Sequence, residues 1–184
     1  TSDDITIHRG LTGVYFDRSD TTFIDGKEGV LEYRGYNINQ LAEQSTFEET
    51  GYLLIHGKLP TQSELNDFDA ELKDARELPE QIFDVVELVK DSHPMDALRT
   101  AVSALASFDE DRNDNSPEAT IRKGNRLTSQ VPSIVMAHHN IRQGKDPIKP
   151  SATLNHAGNF LYMLNGDEPS DDTAKLMDKD FVLH

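Results

Sequence analysis

His93-Pro94-Met95-Asp96-Ala97-Leu98-Arg99-Thr100-Ala101-Val102-Ser103-Ala104-Leu105-Ala106 is the run on which the reading of this chain turns. Met95, Leu98, Val102 and Leu105 recur at spacings of three and four, and Ala97, Ala101 and Ala104 form a stripe of small side chains beside them. The pattern predicts a helix with two buried faces. Small side chains let a second helix approach closely, so a helix of this kind belongs deep in a layered, mainly α body. Ser92 and Pro94 supply its start, because the residue before a proline is pushed out of the helical region and proline is tolerated in a first turn.

Outward from this run, helical patterns dominate on both sides. Ile82, Val85, Val86 and Val89 mark a helix before it, broken from its predecessor by Leu78-Pro79. That predecessor starts at Thr61 with Glu64, a capping box, and carries Leu65, Phe68 and Leu72 to about Glu77. Ser45 with Glu48 gives the same signature ahead of Phe47, Tyr52, Leu53 and Ile55, with a stop at Gly57. A shorter pattern at Ile38, Leu41 and Ala42 precedes it. Residues 11–33 alone read otherwise. Val14-Tyr15-Phe16, Thr21-Thr22-Phe23-Ile24 and Val30-Leu31-Glu32-Tyr33, with turn chemistry at Asp25-Gly26 and Gly29, predict a small hairpin or three short strands lying on the helical body.

On the other side, Ser116-Pro117-Glu118 starts a long helix that runs to Gly144, with Pro132 expected to kink it. Ser151 opens the next, with Leu154, Phe160, Leu161 and Leu164 as core candidates before Gly166. Asp171 and Asp172 precede a last pattern of Ala174, Leu176, Met177, Phe181, Val182 and Leu183. The expectation is one domain over 1–184, mainly α, with short strands at 11–33 and helices over 37–184.

Composition narrows the function classes. Acidic residues outnumber basic ones 33 to 18, a net charge of −15, so no basic face is available for nucleic acid. The absence of cysteine excludes disulfides, thiolate metal sites and thiol nucleophiles. No apolar run approaches the roughly 18 residues that span a membrane, and Thr-Ser-Asp-Asp at the start lacks a signal peptide's regions; a cytoplasmic protein is expected. Asp109, Asp111 and Asn113 alternate like calcium ligands, but Asp114 stands where the loop needs glycine and Thr120 where it needs glutamate. His138 and His139, adjacent and so about 100° apart on a helix, do not converge on one metal. Phosphate loops, nucleophile elbows and zinc helices are absent, and the seven histidines are scattered.

The run His93–Leu105 resembles the corresponding helix of citrate synthases, especially the bacterial and archaeal type that includes 2-methylcitrate synthases. The likeness continues in order through YRGYNINQLAEQSTFEE, YLLIHGKLPTQSEL, NDNSPEA, VPSIVMAHHN and NFLYMLNGDEP. It implies the large helical domain of that family and the joining of an acyl-CoA to a 2-oxo diacid. The substrates implied are acetyl-CoA and oxaloacetate, or propionyl-CoA in the alternative, with no cofactor and no metal. The family's catalytic groups come after a Leu-His-Ala-x-His motif, and His184 falls on the first histidine of it. His184 is therefore expected to neighbour the site, and the chain to be an N-terminal segment that is inactive and unstable alone. Lys73 matches the place of a basic residue that approaches the phosphate end of CoA, where relatives have arginine; Arg76 is a nearby substitute. The resemblance also implies a homodimer through the helices at 95–106 and 117–144, so that a large charged residue at Ala101 should weaken it. The alternative of another class is a non-catalytic helical dimerisation module.

Overall fold

The computed structural model describes residues 7–15 and 17–184. After a single 3-10 turn at Arg9–Leu11, three strands form an antiparallel meander in the order β1-β2-β3: β1 (Thr22–Asp25), β2 (Val30–Tyr33) and β3 (Tyr36–Asn37). Phe16 lies outside the described residues, and Val14 and Tyr15 are exposed and in no strand, so the sheet occupies 22–37 rather than 11–33. β2 and β3 are joined by Arg34-Gly35 alone, with φ of 49° and 84°. A two-residue hairpin of this hand needs positive φ at both positions. Gly35 takes it freely, while Arg34 is held there by donating Nε and Nη2 to the carbonyl of Leu54, at 3.3 and 2.8 Å.

Eight helices follow among the described residues: α1 (Ile38–Gln44), α2 (Phe47–His56), α3 (Gln62–Asp74), α4 (Glu80–Leu88), α5 (Pro94–Leu105), α6 (Pro117–Arg142), α7 (His156–Asn165) and α8 (Asp171–Leu183). None is long and apolar enough to cross a membrane. The chain is mainly α with a small sheet, as its periodicity predicts. Thr61 and Glu64 close the expected capping box on α3. On α2 the box is one residue later than expected, between Thr46 and Glu49, and Ser45 donates its hydroxyl to Glu49 instead. That shift releases Glu48 from the cap and turns it into the protein.

α5 carries one buried stripe rather than two. Ala97, Ala101 and Leu105 are buried, Leu98, Val102 and Ala104 are half-buried, and Met95 is exposed. Its cap is His93, whose Nδ1 accepts the Met95 N–H at 3.2 Å, so the start lies at His93 and not Ser92. The stripe packs with Ile82 and Val86 of α4 and Ile134, Ala137 and Ile141 of α6 into the principal core. Ala101 has no exposed surface within a single chain. A charge there would therefore disrupt the protomer before any pairing of copies.

α6 is the spine, uninterrupted through Pro132, and ends at Arg142. Its inward polar residues satisfy carbonyls and side chains of neighbouring elements: Ser133 donates to the Arg76 carbonyl at 2.9 Å, Asn140 to the Met163 carbonyl at 3.1 Å and Asn125 to the Glu71 carboxylate at 2.9 Å. His138 sits 3.1 Å from the Lys90 carbonyl. The acidic loop before α6 is pinned to it, with Arg126 forked on Asp109 and Arg122 forked on Asp111. α7 begins five residues later than expected. Ser151 accepts the N–H groups of Thr153 and Leu154 in a turn, and Asn155 is the cap. Its most buried long apolar side chain is Met163, with Phe160, Leu161 and Leu164 half-buried. A second core joins Ile38, Leu41, Leu53 and Val182, bringing α1, α2 and α8 under Leu31 and Tyr33 of the sheet.

Candidate functional site

The first turn of α2 is the meeting point of α7 and α8. Glu48, freed from the cap, is 5% exposed, and its Oε1 accepts the N–H of His156, the first residue of α7, at 2.8 Å. From the other side, Asp178 of α8 reaches the first N–H of α2, that of Phe47, at 3.2 Å. Each carboxylate thus satisfies a donor that a helix start leaves without an intrahelical partner, beside the positive end of the helix dipole. The His156 ring stacks on Phe47 at 4.2 Å between centroids and meets Phe181 edge-on at 5.7 Å. Phe181 in turn meets Phe160 edge-on.

Burial governs the charges here. It pushes the Glu48 carboxyl above its ordinary range, against the pull of the His156 N–H, and the Asp178 and Asp69 charges push the same way. Burial raises Asp178 too, with the Phe47 N–H opposing. It drives His156 down to about 4, helped by the positive charge of Arg76. His156 is therefore a neutral ring at neutral pH, and its Nδ1 finds no partner among the described residues.

Arg76, proposed by sequence as a stand-in for Lys73, is 1% exposed. Its Nη1 donates to the carbonyls of Ser151 and Leu154 at 2.7 and 2.8 Å, tying the loop before α7 to the end of α3. It is a buried tether and has no surface to offer a ligand. α3 accordingly stops at Asp74, short of the expected Glu77, because the chain turns inward to deliver it. Lys73 lies on α3 with its Nζ 2.6 Å from Asp69 one turn back.

A cavity of 310 Å³ lies between the sheet, α2, α3 and α8, walled mainly by Tyr33, Phe47, Leu54, Phe68, Phe181 and Val182. His184, exposed at the end of α8, also lines it, with Nδ1 2.8 Å from the Asp180 carbonyl. Leu72 lines it as well, but Lys73, next in the chain, does not. The two site residues expected from sequence therefore do not share this cavity. Two other hollows, of 380 and 510 Å³, lie by the pinned acidic loop and by Lys90, Lys145 and Lys149, and contain neither of them. Glu48, His156 and Asp178 were missed by sequence reasoning. The available signal was Asp178 itself, an acid four residues from both Ala174 and Val182 on the apolar stripe of α8.

Comparison with known proteins agrees with this architecture. Residues 10–184 match the family model described as citrate synthase, C-terminal domain. The citrate synthase of Deinococcus radiodurans is 46% identical over 179 residues, covering 97% of this chain and 48% of that protein. That of Haloferax volcanii is 45% identical over 183 residues, with the same coverage. The crystal structure of citrate synthase from Pyrobaculum aerophilum superposes with a TM-score of 0.91 at 36% identity, over 97% of this chain and 47% of that one. The chain spans about half the length of these relatives. With the order of helices, the small sheet and the sequence matching nearly end to end, the chain belongs to the citrate synthase family.

Proposed function

We propose that the protein carrying this chain condenses an acyl-CoA, acetyl-CoA first, with oxaloacetate and releases citrate and CoA. The observation that carries the reading is the match over 97% of the chain, at 46% identity, to the citrate synthase of Deinococcus radiodurans. The reaction removes a weakly acidic proton from the carbon next to the thioester, forms a carbon–carbon bond to the oxo carbon, and hydrolyses the thioester with water. It needs a carboxylate base, neutral donors for the enol and the oxo group, and cations for the diacid. No residue of this chain is assigned as base or donor. His184 is read as a neighbour of the diacid, and Lys73 as a CoA phosphate contact that exchanges Asp69 for the phosphate. No resident cofactor is invoked. The protein is read as cytoplasmic and as a homodimer through α5 and α6, a reading supported by the exposure of Met95, Ile121 and Leu127 on those helices.

Release of free thiol by the native polypeptide that carries this chain tests the reading. Turnover with oxaloacetate and acetyl-CoA is expected. A clear preference for propionyl-CoA would replace it with 2-methylcitrate synthesis, and no turnover with either would leave the helical dimerisation module as the better account.

A further inference from the structure

α8 shows the protein one stripe, Ala174, Met177, Asp178, Phe181 and Val182, all half-buried or buried, while Leu176, Lys179, Asp180 and Leu183 are exposed. Asp178 is the polar member of that stripe. Apolar contacts are non-directional, so Val182 against Ile38, Leu41 and Leu53 tolerates a small slide or rotation of the helix. A hydrogen bond does not, because it weakens steeply with angle and distance. Its donor, the Phe47 N–H, is fixed at the first position of α2, where the helix itself offers no alternative partner. Six residues after Asp178, about 9 Å along the axis, the helix reaches His184. Phe181, Val182 and His184 line the same cavity, as does Phe47, whose ring meets Phe181 edge-on at 5.7 Å.

We propose that Asp178 is a positioning residue: by capping Phe47 it fixes the axial and rotational setting of α8, and so where the His184 end of that helix stands in the oxaloacetate part of the site. The inference rests on the condensation reading above. It separates two halves of the reaction. α8 sets the diacid side, whereas the CoA contact assigned to Lys73 is on α3, outside the stripe that Asp178 anchors.

Asp178→Leu in the native polypeptide tests it. The substitution keeps a branched side chain in an apolar stripe but leaves the Phe47 N–H without its acceptor, so helix content should hold while the thermal midpoint falls. The KM for oxaloacetate should rise by at least about tenfold, since small misplacements of a site are costly, with the KM for acyl-CoA within about twofold. Asp178→Asn, whose amide oxygen accepts the same N–H, should restore the oxaloacetate KM. An unchanged oxaloacetate KM in the leucine variant, an equal rise in both KM values, or a failure of that variant to fold would each overturn the assignment. A wild type without turnover would defeat the parent reading and this one with it.

Discussion

The core of α4, α5 and α6 and the junction of α2, α7 and α8 hold helices together by opposite means. The first uses Ile82, Val86, Ala101, Leu105, Ile134, Ala137 and Ile141, a purely apolar set in which small residues fix how near the helices come. The second buries Glu48, Asp178, His156 and Arg76, which fix where each helix starts relative to the next. Apolar area supplies most of the folding energy, and directional polar contacts select one arrangement among near-equal packings. Separation and register are thus assigned to different parts of one chain.

The largest blow to that contrast would fall on the apolar side. Ala101→Glu forces a carboxylate into space with no polar partner, and a loss of about 4 kcal/mol or more is expected, seen as collapse of the urea midpoint. A variant that stays folded and merely dissociates would show that the α5 stripe is surface between copies, and the contrast would fail.

On the polar side, His156 makes the junction acid-sensitive. Its folded value near 4 lies below the ordinary 6.5, so the unfolded chain takes up a proton that the native ring refuses. Its stabilising share is full above pH 6.5 and is lost as pH falls toward 4, by up to about 3 kcal/mol. Glu48 works in the other direction: its raised value makes the native state gain stability as the pH falls through it. His156→Phe keeps the stacked ring and should make stability less sensitive to acid between pH 6.5 and 4, because the histidine slope is removed. Urea midpoints between pH 7 and 4 measure this, and an unaltered profile would show that His156 is not sealed from water.

A smaller effect sharpens the same point. Glu48→Ala leaves the His156 N–H unsatisfied in the interior and should cost about 2 kcal/mol, whereas Glu48→Gln retains an acceptor oxygen and should recover most of it. Equal losses would mean that charge, rather than the hydrogen bond, holds α7.

What the sequence displays follows the same division. Period and caps are local, so the α5 run, the Thr61–Glu64 box, Pro117 and the stops at Gly57 and Gly166 read directly from neighbours in the chain. Val14-Tyr15 has strand-like side chains, but a strand needs a partner, and no partner is encoded locally. The Ser45–Glu48 reading failed by one residue because Thr46–Glu49 offers the same chemistry, and that single step decides whether Glu48 faces water or His156. Arg76 failed for a related reason: its Nη1 is held by carbonyls 75 and 78 positions away, which no window on the sequence contains. For the site, the resemblance of linear motifs supplied the family and the two candidates His184 and Lys73, while the buried triad around α2 became visible only in three dimensions.

The two caps on α2 also set an order of events. Phe47 and Asp178 are separated by 131 positions, and Glu48 and His156 by 108. At about 5–20 residues per second of synthesis, roughly ten seconds pass between the appearance of α2 and that of its last partner. Through that interval Thr46 and Glu49 hold the helix start unaided, and the α4–α5–α6 core, built from nearer contacts, has time to form. Among the described elements, the polar junction is the last that can be completed, once α7 and α8 have been synthesised.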